Sequence, residues 1–198
     1  MSISAVRSLC ALLVVLTCAT LDGATVSPQQ ADAFERKVEQ VRAPRRSGSP
    51  PRRTPLTQDE VNSWFAYRAQ PHLPQGISSP QLTLVGDNRV SGQATLDLDA
   101  IGRRRASGSW MDPWSLLGGR LPLSVTGTLH TRDGIGRFAL ESATLGGVPL
   151  PKLMLQELLS LYSRSESQPR GRSLDDPFPL PSNIRQIEVA RGQAVVVQ

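Results

Sequence analysis

This 198-residue chain is poor in the side chains on which most catalysis depends. It has two histidines and two cysteines, and its only lysines are Lys37 and Lys152. Cys10 and Cys18 both fall in an uncharged N-terminal run, so the rest of the chain offers no thiol, disulfide or cysteine metal ligand. His72 sits in a proline-rich stretch and His130 near a strand end, and both read as surface histidines. No HExxH, P-loop, GxSxG or GxGxxG pattern occurs. Gly134-Ile135-Gly136 lacks a third glycine and belongs to a hairpin. A hydrolase reading therefore has no nucleophile–base pair to use. The expectation is a protein that is not an enzyme, with no catalytic residue, cofactor or metal site.

The chain is also short of acid, with a net charge of +5. Residues 25–53 hold seven Lys/Arg against Asp32, Glu35 and Glu39, whereas residues 54–198 hold 14 basic and 13 acidic groups. The excess sits in a tail, which argues against nucleic acid as a partner. A second tail feature is the run SLCALLVVLTCA after Arg7, which suits a secretory h-region and is too short to span a membrane. Cleavage is poorly marked at Ala19 and Ala24. Residues 1–24 are read as a signal peptide, and the protein as exported to the periplasm or cell envelope. Lipoprotein anchoring at Cys18 ranks second, because Val15-Leu16-Thr17 is a poor lipobox.

Residues 29–41 have the spacing of a short amphipathic helix through Ala33, Phe34, Val38 and Val41. Residues 42–53, RAPRRSGSPPRR, read as an extended, disordered linker whose five arginines could rest on an anionic membrane. Residues 54–198 are read as one domain, and roughly 145 residues can bury about two thirds of their unfolded surface.

That domain opens with LTQDEVNSWFAY. Thr57 and Glu60 form a capping box, Leu56 and Val61 a hydrophobic staple, and Val61, Trp64 and Phe65 an apolar face. The helix is predicted over residues 56–70. A strand beginning at Leu82 and Leu84 turns at Gly86-Asp87-Asn88, and residues 89–101 alternate through Val90, Gly92, Ala94, Leu96 and Leu98. Asp97 and Asp99 then share the other face, where calcium or paired-carboxylate chemistry competes with plain solvent exposure. Residues 121–132 and 135–145 form a second hairpin about Asp133-Gly134. Gly92, Gly127 and Gly136 inside these strands point to bulges or curvature. A helix beginning near Pro151 carries Met154, Leu155, Leu158, Leu159, Leu161 and Tyr162, residues 163–176 read as a mobile loop, and a hairpin at Arg191-Gly192 ends the chain. The fold class expected is α+β, a long curved antiparallel sheet (half-barrel) wrapped around one or two helices.

One loop stands apart. Arg103, Arg104 and Arg105 lead into Trp110, Trp114, Leu116 and Leu117. Arginine with tryptophan is the composition of membrane-interface contact, and a cap folded over the core is the plainer alternative.

The LTxxEVN helix, the long hairpins, the VPLP…LL helix and the closing LP…IxxIxV hairpin together resemble bacterial envelope proteins of the tubular lipid-binding (TULIP-like), LmeA-type family. The residues carrying this are Leu56, Thr57, Glu60, Val61 and Asn62, then Pro149, Leu150, Pro151, Leu158 and Leu159, and finally Leu180, Pro181, Ile184, Ile187 and Val189. The basic linker and the double-Trp loop depart from the pattern. The resemblance implies an apolar groove that accepts an acyl chain, lined by Val61, Trp64, Phe65, Met154, Leu158 and Tyr162 opposite Leu96, Leu98, Val125, Leu129, Phe138 and Leu140. The expected function is binding or shuttling of lipid, or another long apolar ligand, with peripheral membrane contact. The competing expectation is a structural or assembly module of the envelope, with a dry core and no ligand.

Overall fold

The computed structural model describes residues 26–44, 46, 48–100, 118–164, 168–181 and 183–198. The signal-peptide reading of residues 1–24 and the membrane-contact residues Arg103, Arg104, Arg105, Trp110, Trp114, Leu116 and Leu117 lie outside them. The described chain runs α1 (Pro28–Arg42), β1 (Arg53–Thr57), α2 (Gln58–Tyr67), β2 (Ile77–Gly86), β3 (Arg89–Asp97), β4 (Arg120–Arg132), β5 (Ile135–Leu145), β6 (Val148–Pro149), α3 (Lys152–Ser163), β7 (Phe178–Pro179), β8 (Gln186–Ala190) and β9 (Gln193–Val197). It is an α+β fold with an open antiparallel sheet in the order β2-β3-β4-β5-β6, and β7 also pairs with β5. A separate three-stranded sheet has the order β1-β9-β8.

Alternation builds the large sheet. Leu96 faces Leu121, Ala94 faces Leu123, Gly92 faces Val125 and Val90 faces Gly127, so these side chains share one face. Across β5 the same face continues through Leu145, Ala143, Leu140 and Phe138. The 13 residues of β4 and 11 of β5 meet at Asp133-Gly134, both with positive φ, as a two-residue hairpin of this hand requires. One register break falls at Thr126/Gly127, where the Phe138 ring occupies the space a Cβ on Gly127 would need. Phe178 lies over Gly136 in the same way. Two of the three strand glycines thus admit an aromatic ring.

The two core clusters divide the molecule. Leu96, Leu98, Ala143, Leu145 and Leu150 pack with Leu155 and Leu158 of α3. Val41 of α1, Ile184 and Val196 form the second cluster, with Leu56, Leu180 and Ile187 against it. Leu56, expected as a staple beside the helix start, therefore belongs to β1 and contributes to the small-sheet core.

Several boundaries differ from those expected. The helix predicted over residues 56–70 occupies Gln58–Tyr67 and is followed by a 3-10 turn at Gln70–His72. The strand predicted to reach residue 101 ends at Asp97, whose carboxylate accepts the Ala100 N–H at 2.8 Å and starts a helical turn. Asp97 and Asp99 therefore do not share a strand face. Asp97 meets Arg120 at 3.6 Å, and Asp99 accepts the Gly119 N–H at 3.3 Å. Pro151 caps α3 rather than entering it. The segment after α3, expected as a mobile loop, is tied to that helix: Arg172 N–H donates to Ser163 Oγ at 2.7 Å, Leu174 N–H donates to Gln156 Oε1 at 2.7 Å, and Leu174 packs on the main core.

The largest difference lies at the N-terminal side. The helix expected within a tail, α1, packs on α2 and buries Ala31 and Val41. Lys37 pairs with Glu60 at 2.6 Å, Arg68 with Asp32 at 2.8 Å, and Phe34 meets Trp64 at a centroid distance of 5.7 Å. The linker ends in order, since Arg52 exchanges backbone hydrogen bonds with Gln198 at 3.2 and 3.0 Å. The expected boundary at residues 53/54 falls inside β1, a strand whose central partner is β9.

Candidate functional site

The apolar face of the large sheet is covered unequally. At the β3 C-terminal end α3 lies on it, with Leu96 1 % exposed and Leu158 5 % exposed. Tyr162 closes that end by donating its hydroxyl to Gln75 O at 2.8 Å. At the other end β8 packs against β2 and β4. Between these closures Leu82, Val90, Val125, Leu129, Phe138 and Leu140 are only half-buried. Gly92 lies in the middle of this stretch, opposite Leu82 on β2 and Val125 on β4. A Cβ there would meet no described atom within 4 Å. Among the described residues, the face is thus a shallow apolar trough, closed at both ends and open over Gly92.

Hydrogen bonds hold the β8 end and the β2 edge. Thr131 Oγ1 donates to Ile187 O and accepts the Ile187 N–H, both at 2.8 Å. Asn88, at the β2–β3 turn, donates its N–H to Val189 O and accepts the Val189 N–H on Oδ1. The outer edge of β8 is therefore stitched to the two hairpin ends of the large sheet. The outer edge of β2 is stopped by α2: Asn62 donates to Leu82 O at 2.9 Å and accepts the Leu82 N–H at 2.7 Å, while Gln58 Oε1 accepts the Leu84 N–H at 2.8 Å. An unpaired strand edge invites pairing with another chain, and these amides remove it.

Seven of the twelve expected groove residues come together. Leu96, Leu98 and Leu158 are core, with Val125, Leu140, Met154 and Tyr162 packed against them. Leu129 and Phe138 pair across the far part of the same face. The α2 residues stand elsewhere, which corrects the groove drawn from the sequence. Trp64 is taken by α1 and the 3-10 turn: its Nε1–H donates to Glu35 at 3.3 Å, and His72 stacks on it at 6.1 Å with a 10° interplanar angle. Phe65 lines a separate cleft of about 490 Å³ with Val26, Ala66, Ser79 and Pro80. Val61 is half-buried and lies outside both core clusters. The physical reason is that α1 supplies the apolar partner that the sheet was expected to supply.

The capping box is present, with Glu60 N–H donating to Thr57 Oγ1 at 3.2 Å and Thr57 N–H to Glu60 Oε2 at 2.9 Å. Glu60 also binds Lys37 while only 6 % exposed, so one carboxylate caps α2 and anchors α1. On the polar face of the sheet, Glu141 is held below its ordinary range first by the Thr128 hydroxyl and then by Arg89. Glu188 is lowered by the hydrogen bond from Arg53. Both groups are structural partners at the surface.

Among the described residues, no group of three or more His, Cys, Asp or Glu side chains could hold a metal ion, and no helix is long and apolar enough to cross a membrane. No family model matches the chain, and neither the curated proteins nor the solved structures contain a match.

Proposed function

We propose that this chain is an exported, non-enzymatic protein of the bacterial envelope that binds or shuttles lipid, its sheet acting as a TULIP-like half-barrel. The observation that carries the reading is the space over Gly92, open among the described residues, on an apolar face closed at both ends. An acyl chain laid along Leu82, Val90, Val125, Leu129, Phe138 and Leu140 would cover side chains now half-exposed. Each methylene removed from water contributes about 0.8 kcal/mol, so ten of them suffice for firm retention. Membrane contact is drawn from Val148 and Leu153, 67 % and 70 % exposed. Val148 lies beside the end of the sheet where the chain leaves for the Trp-containing loop and returns, since Leu98 N–H bonds Gly119 O and Gly146 N–H bonds Pro122 O.

The test is native mass spectrometry, with organic extraction, of protein purified without detergent from an exporting host. A co-purifying lipid near unit stoichiometry is expected. Gly92→Phe should fill the trough and strip the lipid while leaving the unfolding midpoint nearly unchanged. Leu158→Asp should abolish loading too, but it places a charge in the core and is the weaker test. Lipid retained at wild-type stoichiometry in folded Gly92→Phe would remove the trough as the site, and a bare chain that also ignores added phospholipid would leave the scaffold reading in its place.

A further inference from the structure

A second surface, unused by the trough, lies at the tip of the β4–β5 hairpin. It is a cleft of about 700 Å³ whose lining includes His130, Arg132, Arg137, Asn88, Asp133 and Gln186. His130 stands directly opposite Arg137, and Arg132 lies two residues along β4 from His130. Side chains two apart on a strand return to one face, so these three basic groups project together, on the side opposite Leu129 and Phe138. Basic groups facing one another across a ladder disfavour the pairing they decorate.

Three other outward arginines are answered by carboxylates. Arg89 has Glu141 at 2.7 Å, Arg68 has Asp32 at 2.8 Å and Arg53 has Glu188 at 2.5 Å. Arg132 and Arg137 have no carboxylate within salt-bridge distance among the described residues. The acid lining the cleft is Asp133, in the turn itself, which leaves two guanidinium groups against one carboxylate. Asn88 spends its Oδ1 on the Val189 N–H, so its amide nitrogen is the remaining polar end of that side chain. The cleft thus offers two planar guanidinium forks, an imidazole and an amide donor. That set matches a tetrahedral phosphate oxyanion, for which arginine is suited by its paired parallel donors.

We propose that this cleft binds a phosphate group, with Arg132 and Arg137 as its principal donors and His130 and Asn88 beside them. The phosphate is either that of a small free phosphate ester or the diester of a lipid headgroup. Only the second source rests on the lipid reading above.

The experiment is a nuclear magnetic resonance titration of the full chain, following backbone amides of residues 130–137 and arginine Nε–H signals. The probes are inorganic phosphate, glycerol 3-phosphate and dihexanoyl phosphatidylglycerol below its micelle concentration, each against sodium chloride at matched ionic strength. Saturable shifts at Arg132 and Arg137 are expected. The exposed double variant Arg132→Gln/Arg137→Gln should weaken them at least about tenfold with an unchanged unfolding midpoint. Equal saturation by all three probes supports a free phosphate ester, and preference for the short-chain lipid supports a headgroup. Shifts that match the chloride control, or that persist in the double variant, overturn the site. Gly92→Phe should leave the inorganic phosphate titration unchanged. A lipid-free protein that still binds phosphate would therefore sink only the lipid reading, and a lipid-loaded one that ignores phosphate would sink only this cleft.

Discussion

Helices α2 and α3 carry comparable apolar stripes, yet they meet the same sheet in different ways. α3 lies across the face, where Leu155 and Leu158 join Leu96, Leu98 and Leu145 in one core. α2 lies along the edge, where Asn62 and Gln58 replace a neighbouring strand for Leu82 and Leu84. The apolar stripe of α2 is left to α1, through Phe34 against Trp64. Hydrophobic spacing announces that a helix has a partner. Gln58 and Asn62, four apart and so on one side of the helix, decide that this helix serves an edge.

Four substitutions would break or sharpen that comparison. Leu158→Ala should lower stability most, by about 2–5 kcal/mol in denaturant unfolding, because α3 is held by burial. A change near zero would mean that α3 is not seated on the face. Asn62→Ala should cost about 1–3 kcal/mol by leaving the Leu82 N–H and C=O without partners. Its signature is local: amide exchange at Leu82 should quicken more than exchange at Leu96, and uniform quickening would argue against an edge role. Thr57→Ala removes one side of the capping box and should cost about 1 kcal/mol, read as a shift in the unfolding midpoint.

The smallest effect is electrostatic. The Thr128 hydroxyl is the larger cause of the lowered Glu141 carboxyl, ahead of Arg89. Thr128→Val should therefore move Glu141 titration upward more than Arg89→Gln does, measured by carboxyl-carbon chemical shift. A carboxyl lowered in the folded state adds stability above its unfolded value, and that stability fades as pH falls through the folded value. The wild type should accordingly lose slightly more stability than Thr128→Val across that acidic window. The opposite order would assign the shift to Arg89.

Much of this architecture could be read from local chemistry. The β4–β5 hairpin follows from strict alternation about Asp133-Gly134, and the start of α2 from Thr57 and Glu60. The sheet face of the trough could be read as well, because Leu96, Val125, Leu140 and Leu158 obey the periods of strand and helix. What escaped depended on distant partners. Arg53–Thr57 is too short and too polar to announce a strand, and it becomes one only against β9. The stripe at Phe34, Val38 and Val41 is legible, but the Pro/Arg-rich segment after it gives no sign of the α2 partner on which it packs. That Asp97 would end β3 by capping a turn was hidden by the continued alternation through Leu98 and Asp99. The basic cleft was invisible for a related reason, since His130 and Arg137 become neighbours only through the register of β4 on β5.

The place of β9 between β1 and β8 also orders events during synthesis. The hairpins β2–β3 and β4–β5 join segments that leave the ribosome almost together, so they can form early. β1 pairs residue by residue with a strand made some 140 residues later, from Arg53↔Val197 to Thr57↔Gln193. Until then β1 lacks that partner, and Val41 waits for Val196. Long-range pairing of this kind is slow and leaves apolar surface open to other chains in the interval. The small sheet is thus the part of the fold whose closure spans the greatest distance in sequence.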